Sequence, residues 1–187
     1  MTAVTGESLA SDAHALLVRY ASGDRAQRGL REAFLAALSM GPDAMWRAGP
    51  PDHFTASAFV FDAGLERVCL VLHKKAGLWL QPGGHFEAVD QVVVSAALRE
   101  ATEETGLPNL VARTELVDLS HHELNSKFGR CRSHLDLRCA FTASSTNEPQ
   151  VSEESDDAGW WPVEALPEKT DATLRVTIPA VRDLLRT

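Results

Sequence analysis

The sequence predicts an α/β (α+β) architecture in which a mixed β-sheet is layered with helices and preceded by a helical arm. Three observations predict it. Strand-like apolar runs flank one acidic helix, an amphipathic helix closes the chain, and two further amphipathic helices precede a turn at Gly49-Pro50-Pro51-Asp52. That turn divides the chain into an N-terminal helical extension, residues 1–48, and one domain, residues 49–187. At 187 residues and 44% hydrophobic content, the chain can bury one good core.

In the arm, Leu9, Ala13, Leu16, Leu17 and Tyr20 fall on one face of a first helix. Ser22-Gly23-Asp24 breaks and recaps, and Leu30, Phe34, Leu35 and Leu38 line a second helix that Gly41-Pro42 ends. These faces are expected to bury against the domain or a second copy, so a homodimer is one expectation. Phe54–Asp62 is strand-like, and after a turn at Ala63-Gly64 the nearly continuous apolar run RVCLVLHK suits a strand covered on both sides. Leu78-Trp79-Leu80 leads into a turn at Pro82-Gly83-Gly84.

A helix follows. Val94, Ala97, Leu98 and Ala101 recur at helical spacing, Gly106 can adopt the left-handed conformation that ends a helix, and Pro108 cannot continue it. LVARTELVDL then reads as a strand, with a polar loop from His121 to Gly129. In the next strand Leu135, Leu137, Cys139 and Phe141 alternate with His134, Asp136, Arg138 and Ala140, giving one core face and one polar face. The polar loop SSTNEPQVSEESDD precedes GWWPVEALPE, and Thr173–Arg186 forms the closing amphipathic helix.

The central helix carries Arg99, Glu100, Glu103 and Glu104, three of its carboxylates standing at i, i+3 and i+4. Unit charges about 5.5 Å apart repel by roughly 3 kcal/mol at an effective dielectric near 20, against under about 1 kcal/mol in water. Such a face is either open to solvent or occupied by a cation. A bare glutamate pair favours the solvated reading. Here the adjacent glycines favour the cation, because they let a backbone carbonyl approach a metal closely, and carboxylate oxygens with water suit Mg²⁺.

The stretch QPGGHFEAVDQVVVSAALREATEETGL resembles the Nudix box, whose pattern is Gly, five residues, Glu, seven residues, then Arg-Glu-aliphatic-x-Glu-Glu-x-Gly-aliphatic. At ordinary residue frequencies the Arg, three Glu and Gly coincide about once in 10⁶ starting points. The resemblance covers Gly83–Leu107. Asp90 stands where the family has Glu, eight residues rather than seven separate it from Arg99, and Ala101 replaces a larger aliphatic. A shorter acid on a longer connection can still reach Arg99.

The resemblance implies an α/β/α sandwich around the mixed sheet. It also implies metal-dependent hydrolysis of the diphosphate linkage in a nucleoside diphosphate derivative, a nucleotide or nucleotide sugar, with Mg²⁺ or Mn²⁺ as the cofactor. By motif position Glu103 and Glu104 are metal ligands and the Gly83 carbonyl is another. Glu100 is a ligand or the base acting on water, and Arg99 orients the glutamates. A further catalytic acid often comes from a downstream loop, where Glu153 and Glu154 are the candidates and Glu154 is the choice. His85, His134 and Arg138 are expected on the substrate. Trp79 and Trp160 can stack on a base, although core packing is the commoner use of such residues. The rival reading is a ligand-binding module of the same fold without turnover, which the altered box favours and the retained Arg99 and glutamates oppose. An isopentenyl diphosphate isomerase is opposed by the absence of a Cys in the glycine turn.

A net charge of −8 and the lack of a basic run argue against nucleic acid as a partner. Cys69, Cys131 and Cys139 lack CxxC spacing, so buried thiols in a reducing cytoplasm are expected rather than a disulfide or a zinc site. The start MTAVTGESLASD has no signal-peptide pattern and no stretch approaches a membrane span, so a cytoplasmic location is expected.

Overall fold

The computed structural model describes residues 6–144 and 147–187. Residues 1–5, which begin the expected arm and the segment read as lacking a signal peptide, and residues 145–146 of the polar loop before GWWPVEALPE lie outside the described residues.

The long strand β1 (Asp52–Asp62) organises the sheet. Along one edge it runs parallel to β6 (Ser133–Ala143), from Asp52 opposite Ser133 to Asp62 opposite Ala143. Its other edge bonds antiparallel to β4 (Gly83–His85) and then to β2 (Arg67–His73). Strand β2 also bonds β3 (Leu78–Leu80) and β7 (Ser155–Pro162), while β5 (Leu110–Glu123) lies antiparallel to β6 with register shifts between Ala112 and Asp118.

Side-chain alternation along these strands feeds two apolar layers. Phe54, Ala56, Ala58 and Val60 join Leu135, Leu137, Cys139 and Phe141 beneath α1 (Gly6–Arg19), α2 (Arg25–Ser39) and α3 (Val93–Thr105). On the opposite face Phe59, Phe61, Leu70 and Ala140 pack with Leu174, Ile178 and Val181 of α4 (Leu174–Leu185). The result is an α/β/α sandwich. No helix among the described residues is long and apolar enough to cross a membrane.

The arm is continuous with the first of these layers, because Leu9, Ala13, Leu16, Leu17, Phe34 and Leu38 share it with α3 and the sheet. Polar contacts fix its placement. Asp24 caps α2 by accepting from Ala26 N at 2.6 Å. From the same helix Gln27 donates to Asp118 Oδ1 at 2.8 Å and accepts from Leu119 N at 3.0 Å.

Several boundaries differ from expectation for one reason, namely that pairing partners distant in sequence decide them. The Gly83–His85 turn is a short strand because β1 offers it an open edge. The supposed loop residues His121–Glu123 extend β5 along the start of β6, and Ser155–Asp157 begin β7 against β2. The polar face of β6 is not solvated: Asp136 and Arg138 are buried. Trp79 packs edge-on against Trp161 with ring centroids 5.1 Å apart, as part of the α4-side core.

Candidate active site

The helix α3 brings its carboxylates to the sheet through small residues. Ala97 and Ala101 are fully buried, and Glu104 follows them at i+7 and i+3, so the stripe that packs on the sheet carries a glutamate inward with it. An aliphatic larger than Ala101 would hold the helix farther out. Only 8% of Glu104 remains exposed, and the Gly83 backbone beside its carboxylate favours the ionised form. Gly106, at φ 63°, ends the helix with its N–H on Thr102 O at 2.8 Å.

The glycine strand fits only without side chains. A Cβ on Gly83 would lie 2.3 Å from Ser57 Cβ, and one on Gly84 would lie 2.7 Å from Glu100 Oε2. Gly84 therefore faces α3 and its carboxylates, whereas Gly83 faces β1 on the other side of the strand.

Arg99 is the hub of the cluster. Its Nε and Nη2 donate to the two oxygens of Asp90 at 3.1 and 2.9 Å, a bidentate pair. Its Nη1 donates to Glu100 Oε1 at 2.9 Å and to Glu103 Oε2 at 3.0 Å, and Nη2 also donates to the His85 carbonyl at 3.1 Å. The shorter acid on the longer connection thus reaches Arg99, because the extra residue is absorbed before Val93 opens the helix. Asp90 also accepts from Glu87 N at 2.8 Å, which closes the turn between β4 and α3. Glu87 Oε1 itself stands 3.9 Å from Arg99, a neighbour the motif did not mark.

One guanidinium does not neutralise this cluster. Burial pushes the Glu104 carboxyl up to about 8, and the charges of Glu100, Glu154 and Glu103 add to the shift. Burial raises Glu100 to about 7, with Arg99 opposing and Glu103 and Glu154 reinforcing. Burial works against the charge on Arg99, but its carboxylate partners outweigh that and hold it above its ordinary value. Glu154, in the turn before β7, is exposed and close enough to act on both buried glutamates. The repulsion estimated from sequence is therefore relieved in the protein alone by retained protons. A divalent cation does the same while leaving the carboxylates ionised. The donor set, hard carboxylate oxygens beside a glycine strand, fits Mg²⁺ or Mn²⁺.

The other expected residues lie on the far face of β4. Arg138 donates to Asp136 at 2.9 Å and to Asp118 at 3.0 Å, with its guanidinium over the Phe59 ring. Asp136 further accepts from Thr55 Oγ1 at 3.0 Å and Ser57 Oγ at 2.7 Å. Burial pushes the Asp136 carboxyl up, but Arg138, His122 and the Ser57 hydroxyl outweigh it and hold the group below its ordinary value. His85 and His134 stand with their rings 4.9 Å apart beside His53. Burial together with neighbouring histidines lowers His85 to about 4 and His134 to about 3.

Motif reasoning missed Asp12, His53 and Cys131. Asp12 Oδ2, from α1, accepts from Val93 N at 2.8 Å and so caps α3 from outside its own segment. Val92 at the cap position has no side chain able to do this.

A model of the NUDIX domain matches residues 51–181. Among solved structures, a NUDIX-family hydrolase from Clostridium perfringens superposes with a TM-score of 0.60 at 27% identity, covering 71% of this chain and 97% of that one. An Ap4A hydrolase from C. elegans superposes with a TM-score of 0.60 at 15% identity, covering 71% and 97% of the two chains. The MutT protein from Methanosarcina mazei Go1 gives 0.56 at 19% identity, covering 74% and 98%. The last two likenesses are likenesses of fold. No curated protein matches the chain. With the family's domain spanning most of the sequence and its box forming the paired cluster around Arg99, the chain belongs to the Nudix hydrolase family.

Proposed function

We propose that the chain is a metal-dependent hydrolase of the diphosphate linkage in a nucleoside diphosphate derivative, with Mg²⁺ or Mn²⁺ held by Glu100, Glu103, Glu104 and the Gly83 carbonyl. The observation that carries the reading is the buried, undercompensated carboxylate pair Glu100 and Glu104 beside a glycine strand that tolerates no Cβ. A divalent cation bound there supplies charge neutralisation on the diphosphate oxygens and orientation of the attacking water.

The chain's own residues supply the rest. Arg99 holds Glu100 by Oε1, which leaves Oε2 either to hold the cation or, in the role of base, to take a proton of the attacking water. As water adds to phosphorus, the bridging P–O bond breaks and its electron pair leaves with the departing phosphate. Glu154 approaches from the β7 side and is the second catalytic carboxylate of this reading. Asp90 positions Arg99 and acts through it. His85 and His134 are on the opposite face of β4, and Arg138 is engaged by two aspartates, so we read Arg138 as structural rather than as a substrate contact. The family match over residues 51–181 supports a diphosphate linkage as the bond that is cleaved.

The test is a panel of nucleoside triphosphates, dinucleoside polyphosphates and nucleotide sugars, with Mg²⁺, with Mn²⁺ and with chelator. The reading expects divalent-dependent release of a nucleoside monophosphate or inorganic product from at least one member. Metal binding without turnover on any member would instead favour the silent ligand-binding module.

A further inference from the structure

We propose that His53, His85, Cys131 and His134 form a second metal site, a closed tetrahedral His₃Cys centre for Zn²⁺, separate from the carboxylate cluster and on the opposite face of β4. One ligand atom from each of the four residues lies within 4.8 Å of every other. His85 Nε2 is 3.1 Å from His53 Nε2 and 3.9 Å from Cys131 Sγ. Zinc–nitrogen bonds of about 2.0–2.1 Å and zinc–sulfur bonds of about 2.3 Å place tetrahedral ligand pairs roughly 3.3 Å (N to N) and 3.6 Å (N to S) apart. The two His85 separations are each within about 0.3 Å of these distances, and the remaining pairs, all within 4.8 Å, close further around the ion.

Two features show that the nitrogens are prepared for an acceptor of their lone pairs. His53 Nδ1 stands 2.9 Å from the Pro50 carbonyl, and because a carbonyl only accepts, Nδ1 carries the proton. In the neutral ring the lone pair is then on Nε2, the atom that faces His85, which is the usual arrangement behind a zinc-ligating histidine. His134 Nε2 is buried with no hydrogen-bond partner among the described residues. An unpaired polar atom at that depth costs free energy unless something completes it. Three imidazoles and one thiol, with His53 and Cys131 buried, select a borderline transition metal and not the hard ions that suit the glutamates.

The site would tie β1, β4, β6 and the segment before β6 together. Strand β4 carries the glycines of the box, and the His85 carbonyl is a partner of Arg99. Zinc would thus be structural, fixing the strand against which α3 and its glutamates are set. The proposal goes beyond the hydrolase reading and does not depend on it.

The test loads the intact protein with Zn²⁺, passes it through Mg²⁺ buffer and measures retained zinc. Retention of one zinc per chain is expected, with Cys131→Ser and His134→Ala losing it and Glu104→Gln keeping it. Co²⁺ loading of wild type should give tetrahedral d–d absorption and a thiolate-to-cobalt charge-transfer band that Cys131→Ser abolishes. If either variant fails to fold by circular dichroism, the wild-type cobalt spectrum and the rise of its melting temperature with Zn²⁺ decide alone. No retained zinc, or an octahedral cobalt spectrum without the thiolate band, would overturn the site.

Discussion

At the scale of single residues, the pair Asp90 and Arg99 decides whether the altered box works. Asp90 is 5% exposed and meets Arg99 through both carboxylate oxygens, so removing either partner strands a buried charge. Breaking such a pair costs on the order of 3 kcal/mol or more. Asp90→Ala and Arg99→Ala are each expected to lower the melting temperature and turnover, with Arg99→Ala costing no less because Glu100 and Glu103 also lose their cation. Denaturant curves and initial rates on both variants check this, and wild-type rates in both would remove Arg99 from its positioning role. The buried glutamates set a pH dependence as well. Their folded values of about 7 and about 8 lie above the ordinary 4.5, so the folded chain binds the extra protons. Their contribution to metal-free stability is therefore full below that ordinary value and is lost as pH rises from there through about 7 to 8. Thermal melts of chelator-treated protein across this range should show the decline.

At the scale of elements, α3 depends on a residue from the arm. Asp12 accepts from Val93 N, and losing a helix cap costs about 1 kcal/mol. Asp12→Ala is expected to speed amide exchange in the first turn of α3 and to lower the melting temperature modestly, whereas Asp12→Asn should retain most of the cap. Equal exchange in Asp12→Ala and wild type would show the contact to be idle. The elements also show what the sequence disclosed. Arg99, its glutamates and Gly106 were legible because one helix and its end carry them at fixed spacing. Strand β4 was not, since three residues, two of them glycine, carry no strand pattern and owe their geometry to β1. The polar side of β6 was legible as polar but not as buried, because burial there comes from Asp118 of β5 and Thr55 and Ser57 of β1 closing over Asp136 and Arg138. His53, His85, Cys131 and His134 could not be grouped at all. Only Cys131 and His134 are near each other in sequence, and pairing of β1 with both β4 and β6 creates the cluster.

At the scale of the molecule, two apolar layers enclose one sheet, and the arm supplies much of one layer. Deleting residues 1–48 would uncover Phe54 and the outer side of α3, so reduced solubility or self-association is expected in light scattering. A truncated chain that stays monomeric with an unchanged melting temperature would show the arm to be dispensable. The architecture also explains why the carboxylates are poised as they are: α3 is pressed inward by its alanines until Glu104 is buried, and the resulting repulsion is what a cation would relieve. Glu104→Gln tests this most directly, because it keeps the shape and removes one charge. In chelator the variant is expected to melt higher than wild type, with the gap widening as pH rises from about 5 to about 8. With Mg²⁺, its diphosphate hydrolysis is expected to fall by orders of magnitude and its melting temperature to lose the metal-dependent rise. Unchanged turnover together with unchanged melting, with and without metal, would contradict the account.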